Sequence, residues 1–146
     1  MKSFTLEGFA RELANMQAKV PVMLAVAAES VGQVAEGKAK AIVGEYQRGD
    51  MGGFEPWEEL AGSTKADRVR NGYTENDPGL RSGAMQGSIG HTTSGTNVAI
   101  GSSDQHLVWF EFGTSKQPPR SVVGLAAYRS EEDLRAIAKT IMGKIL

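Results

Sequence analysis

The stretch from Leu80 to Thr114, LRSGAMQGSIGHTTSGTNVAIGSSDQHLVWFEFGT, constrains the fold most, because it sets two strand-sized runs around a turn in a chain otherwise patterned for helices. Ser88 to Thr93 (SIGHTT) and Thr96 to Ser102 (TNVAIGS) are partly β-branched, and Ser94-Gly95 between them can supply the positive φ of a tight hairpin turn. Val98 and Ile100 then share one face of the second strand. Just downstream, Leu107 to Phe112 gathers Trp109, Phe110 and Phe112 around one carboxylate, Glu111. The run stops at Gly113, where the backbone is free to reverse.

Before this stretch the periodicity is helical. Leu6, Phe9, Leu13, Met16 and Val20 recur at three- and four-residue steps, which predicts a helix with one buried side. Pro21 suits the first turn of a new helix, where its missing N–H costs nothing. Leu24, Ala28, Val31, Ala35, Ala39, Ile42 and Tyr46 then continue a stripe for about seven turns. That stripe is rich in alanine and predicts close packing on a sheet or a neighbour, with Glu29, Gln33, Glu36, Lys40 and Glu45 solvated behind it. Gly32 and Gly37 weaken the helix locally, and the glycines of Arg48 to Gly53 end it.

The middle of the chain is turn-rich. Phe54 to Leu60 predicts an entry loop and a short helical turn with Trp57 and Leu60 on one side. Ser63 or Thr64 would cap a short helix carrying Lys65, Arg68 and Arg70. These bases and Arg81 form one cluster, which reads as a solvated face balanced by Glu58, Glu59 and Asp67 rather than as a phosphate contact. Gly49 to Gly53 and Gly72 to Gly79 are expected to be mobile loops. After Gly113, the proline-rich TSKQPPRS predicts an extended connection, and Val122 to Tyr128 a third strand. Ser130 is the expected N-cap of a last helix, with Glu131, Glu132 and Asp133 in its first turn. Leu134, Ile137, Ala138, Ile141, Met142 and Ile145 make that helix the clearest amphipathic one in the chain.

A chain of 146 residues suits a single domain, 1–146, with a helical part over 1–48 and a core over 54–146 whose motifs lie at 80–120. The chain has no cysteine, which removes disulfides, thiolate chemistry and cysteine zinc sites together. A net charge of -1 gives no global field for nucleic acid or anionic lipid. Charges interrupt the apolar residues of the start, unlike a signal peptide, and no run reaches the roughly 20 apolar residues of a membrane span.

Catalytic, cofactor-binding and metal-ligating constellations are not evident, so no catalysis and no cofactor are expected. His91 and His106 are the only histidines, and they lack the spacing of a zinc pair. Ser102, Ser103, Asp104 and His106 suggest a Ser-His-Asp grouping on paper, but no nucleophile-elbow spacing accompanies it. The pairs Glu58-Glu59 and Glu131-Glu132 read as helix-start charges. Glu111 is the one acid to single out: it either points to solvent while the aromatics turn inward, or makes a fixed contact to a loop N–H or a neighbouring subunit.

Trp57-x-x-Leu60 with Thr64 and Lys65, Leu80-x-x-Gly83, Ser88-Ile89, Val98-x-Ile100-Gly101-Ser102, Phe110-Glu111-Phe112-Gly113-Thr114 and Pro119-Arg120 occur in that order over Phe54 to Leu146. The series resembles the tailed-bacteriophage tail-completion and head-to-tail joining family, also described as virion morphogenesis or minor tail proteins. Arg120-Ser121-Val122-Val123 departs from the bulkier Arg-Pro-Phe-Leu of that family, and His106-Leu107-Val108 from a small residue followed by Tyr-Ala.

The resemblance implies an α+β fold, a small twisted antiparallel sheet packed against long N-terminal and C-terminal helices. It implies a structural role without chemistry, in a homo-oligomeric ring with six copies as the expected number. The implied partners are tail tube and head connector proteins, with DNA passing through the lumen and no membrane. The implied locations are the host cytoplasm during assembly and the neck of the virion. Phe110, Glu111, Phe112, Gly113, Thr114, Trp57 and Arg120 are the expected interface residues, together with the alanine-rich helix. Two alternatives are a small non-catalytic binding or regulatory domain of a prophage and a nucleic-acid enzyme, which would need metal-binding carboxylates.

Overall fold

In the computed structural model, which describes residues 5–146, Thr5 opens the first helix: its Oγ1 accepts a hydrogen bond from the Gly8 N–H at 3.1 Å. Helix α1 then runs unbroken over Leu6–Ile42, 37 residues, with Pro21 inside it. The sequence pattern predicted two helices here. Pro21 removes one N–H, but it lies on an exposed part of the helix, where the carbonyl left without a partner can turn to water. No capping residue invites a new start beside it. The helix also ends earlier than the stripe does. Val43 is extended, Gly44 has φ 103° and donates its N–H to the Pro78 carbonyl, and Tyr46 lies beyond the helix.

Helix α1 is divided by its burial. Ala28, Gly32, Ala35, Ala39 and Ile42 are buried, whereas Leu6, Phe9 and Leu13 are 86%, 51% and 50% exposed. The expectation that this first stripe is buried therefore fails within the chain. Continuity also changes the membrane criterion: by length and composition alone α1 is long and apolar enough to cross a bilayer, with an 18-residue window of mean hydropathy 1.2.

The protein is α+β. The sheet is a single antiparallel hairpin, β1 (Ile89–Ser94) and β2 (Asn97–Ser102), paired from Ile89 with Ser102 to Ser94 with Asn97. That register moves the turn one residue on from the expected pair, to Gly95-Thr96. Gly95 takes φ 59° at the first central position, as a II′ turn requires. Val98 and Ile100 share the less exposed face of β2, as the alternation predicted, and Ile100 packs against the core that includes buried Ile89.

The remaining elements are helices: α2 (Gly62–Arg70), α3 (Ala84–Gly87), α4 (Gln105–Phe112), α5 (Val123–Arg129) and α6 (Glu131–Ile145). The expected third strand at Val122–Tyr128 is α5. Its start is held by a carboxylate, described below, and its Leu125 and Ala126 are both 0% exposed. Alternation could not reveal this, because a short apolar run fits a buried helix as well as a strand. Ser130 is not an oxygen cap for α6; its Oγ donates to the Ala126 carbonyl at 2.7 Å and closes α5 instead. Helix α2 likewise has Ala61 at its N-cap position and no side-chain cap, so neither Ser63 nor Thr64 plays that part. Trp57 lies outside any helix or strand, not in a helical turn, and its backbone N–H donates to the Gln47 carbonyl at 2.9 Å.

One core joins these pieces. Ala39, Ile42 and Val43 of the α1 end meet Met51, Trp57, Met85, Ile89, Leu107, Val122, Leu125 and Ala126. Helix α6 lies against α1 through buried Ile141, with Ile137 and Ile145 half-buried, and Lys38 pairs with Asp133 at 2.6 Å where α6 begins. Both loops expected to be mobile make side-chain hydrogen bonds to residues outside them. The Tyr128 hydroxyl donates to Asp50 at 2.9 Å, the Tyr46 hydroxyl to Asn76 at 2.5 Å, and Pro78 is buried.

The hairpin is seated on α1 by His91. Its Nδ1 is 2.5 Å from Glu36 Oε2 and its Nε2 3.1 Å from Glu29 Oε1, while the ring lies over Gly32. A Cβ at Gly32 would fall 2.3 Å from His91 Cδ2, so a residue with no side chain is what lets the hairpin approach. Glu29 and Glu36 were expected on a solvated face; this part of it is covered by the hairpin. Hydrogen bonding to Glu36 and then to Glu29 raises the His91 pKa above its ordinary value. Glu36 also takes a bond from Lys40, which, with His91, holds its own pKa down.

Candidate functional site at helix α4 and its cleft

Asp104 starts α4. Its Oδ1 accepts from the His106 N–H at 2.9 Å and lies 2.6 Å from His106 Nδ1, and these bonds hold the Asp104 pKa down. The grouping suggested by Ser102, Ser103, Asp104 and His106 is thus a helix cap. Ser102 Oγ bonds to the Asp104 backbone and to Ser88 Oγ rather than to His106.

Glu111 lies near the other end of α4 and settles the choice left open by the sequence. Its Oε2 accepts from the Val122 and Val123 N–H groups at 2.7 and 2.9 Å, and its Oε1 from Gly124 N–H at 2.9 Å and Ser121 Oγ at 2.6 Å. One side chain satisfies the free donors at the start of α5 and fixes α4 to α5. The intervening turn needs Gly113, which has φ 73°; a Cβ there would fall 2.8 Å from Pro119 N and 2.9 Å from Gln117 O.

Arg120 is the second anchor. It is 4% exposed, its Nη2 and Nε donate to the Glu58 carbonyl at 2.8 and 3.2 Å, and its guanidinium lies 5.7 Å from the Phe110 ring centre. Burial pushes its pKa down. Its own N–H donates to the Phe110 carbonyl, so residue 120 ties the segment carrying Trp57 to α4. Trp57, 1% exposed, meets Phe110 edge-on at 5.6 Å, and its Nε1 is buried without a hydrogen-bond partner.

A cleft of about 690 Å³ opens beside these residues, between α2, the α3 region and α4. Tyr73, Arg81, Met85, Trp109, Phe110 and Arg120 are among its lining side chains. The basic cluster reaches it largely neutralised: Lys65 pairs with Glu59 at 2.8 Å, Arg81 with Asp67 at 3.2 Å, and buried Arg68 with Asp77 at 2.5 Å. Arg81 also stacks 4.8 Å from the Tyr73 ring centre. The expected charge balance holds for Lys65 with Glu59 and for Arg81 with Asp67, but Arg68 departs from the solvated face: it is buried and its acid is Asp77, not Glu58.

Helix α4 therefore has two unlike sides. His106, Trp109 and Phe110 face the cleft, whereas Val108 and Phe112, one helical turn apart, project elsewhere at 53% and 78% exposure. Of the seven residues expected at an interface, Phe112 and Thr114 are exposed. Trp57 and Arg120 are buried in the body, and Phe110, Glu111 and Gly113 are half-buried supports of α4 and its turn. The alanine-rich face is also interior, since Ala28, Ala35 and Ala39 pack under the hairpin and neighbouring helices. Among the described residues, no group of three or more histidines and acids is placed to hold a metal ion.

The anchors at Arg120 and His91 escape sequence reasoning because each joins segments about 60 residues apart. Glu29, Gly32 and Glu36 on one helical face were the available sign of a clamp. No protein-family model matches the chain, and comparison with curated proteins and with solved structures likewise gives no match.

Proposed function

We propose that this protein is a structural subunit of a tailed-phage virion that completes the tail and joins it to the head as a homo-oligomeric ring. The ordered motif series from Trp57 to Arg120 supports this reading. The observation that carries it is the pair of unlike surfaces on α4: a concave cleft on one side and an apolar ridge of Val108 and Phe112 on the other. A closed ring needs such a heterologous contact, in which one patch of each subunit meets a different patch of the next. Glu111 and Arg120 fix both patches to one support, which favours a constant angle between them of the kind a closed ring needs.

Two measurements test this. A phage carrying an early stop codon in this gene should accumulate full heads and separate tails, and added purified protein should restore joining. Protein carrying Phe112→Asp should keep its unfolding midpoint but fail to restore it. Normal infectious particles from the stop mutant overturn the proposal. A body that stays at one low mass with tail and head components present would favour a small binding or regulatory domain.

A further inference from the structure

The exposed half of α1 carries a seam that the described residues leave unburied. Leu6, Phe9, Leu13, Met16, Val20, Met23 and Ala27 follow at alternating steps of three and four residues, the repeat by which helices pack knobs into holes. Leu6, Phe9 and Leu13 are half or more exposed, Met16, Val20 and Met23 are partly so, and the first buried residue of the helix is Ala28. Pro21 lies off the seam, on its outer flank, so the missing hydrogen bond does not interrupt the repeat.

We propose that this seam docks, antiparallel, against the same seam of a second copy of the chain. Charge selects the direction. Glu12 and Lys19 occupy equivalent flanking positions one heptad apart, and in an antiparallel pair those positions face one another across the seam. Glu12 then meets the second copy's Lys19, and Lys19 the second copy's Glu12. A parallel pair would instead set Glu12 against Gln17 and Lys19 against Leu24, with no opposite charges.

Length selects the register. With Leu13 layered on the second copy's Met16, Phe9 falls on its Val20 and Leu6 on its Met23. Every seam residue from Leu6 to Met23 is used, and Leu6, the first helical residue, lies level with the other copy's Met23, short of Ala28, where burial begins. The pairing uses the arm rather than α4, so it neither requires the ring nor competes with it for the same surface.

The test is the mass of the purified full chain across micromolar to millimolar concentration. Wild type should move from monomer to dimer. Glu12→Lys and Lys19→Glu should each raise the dimer dissociation constant by about tenfold, since two attractive pairs become repulsive. An equimolar mixture of the two variants should regain the dimer, because every facing pair is again opposite in charge. Leu13→Asp should stay monomeric with an unchanged unfolding midpoint. Zero-length carbodiimide coupling of mixed light- and heavy-isotope protein should give a Glu12–Lys19 link of mixed isotope. A wild type that remains monomeric, variants that do not complement, or a link of another register overturns the proposal. Co-flotation of wild type with phosphatidylcholine–phosphatidylglycerol vesicles, lost in Leu13→Asp and without any dimer, would overturn it in favour of a lipid surface.

Discussion

The two halves of α1 obey one helical period and meet opposite fates. From Ala28 to Ile42 the inward residues are alanine, glycine and one isoleucine, and they are buried by a hairpin, α5 and α6. From Leu6 to Met23 the stripe residues are larger and more apolar, yet none of them is buried by the described residues. Hydrophobicity alone did not decide which half was covered. Small side chains let other elements approach closely, and His91 on Gly32 shows how far that goes. The larger side chains of the first half instead make a seam fit for another helix. The contrast separates what stabilises this fold from what the fold leaves available to partners.

The sharpest break in that comparison is Ile42→Ala. Ile42 is 4% exposed within the core, and its truncation should cost about 2 to 5 kcal/mol in urea unfolding. An unchanged midpoint would remove the distinction between the halves.

Gly32→Ala comes next. Its new methyl must displace the His91 ring, at an expected cost of about 1 to 3 kcal/mol. Coupling to His91→Gly in a double-mutant cycle should recover part of it, because the obstructing ring is then gone.

Smaller still is the pH dependence of the clamp. His91 has a raised pKa in the folded chain, so its contribution is fully present below the unfolded value of about 6.5 and is lost as pH rises through the folded value. Glu29 and Glu36 have lowered pKa values, so theirs is present above the ordinary carboxylate range of about 4.3 and is lost as pH falls through the folded values. The difference in unfolding midpoint between wild type and His91→Gln should therefore be greatest between those limits and shrink toward alkaline pH. A difference that grows from pH 6 to pH 9 would show that His91 is held neutral.

The smallest effect belongs to the arm. Leu13→Ala, measured on dilute protein, should change the unfolding free energy by no more than about 0.5 kcal/mol, although it removes a leucine from a regular stripe. A loss as large as that of Ile42→Ala would mean that the arm is covered within the monomer.

The α+β class was implied by the family resemblance; by itself the sequence determined the helical character of α1 and α6 and the hairpin with Val98 and Ile100 on one face. Each rests on a local periodicity that needs no distant partner to be read. The aromatic run at Leu107 to Phe112 and its lone acid were legible as a node, but their geometry was not. Only the tertiary structure made Val122 to Tyr128 a helix, because the Glu111 carboxylate that stabilises its first N–H groups comes from another element. It also buried Arg120 on the carbonyls of Glu58 and Glu59 and seated His91 between two acids of α1. Periodicity records which residues share a face; whether that face is covered depends on which distant segments can reach it, and that is decided by packing.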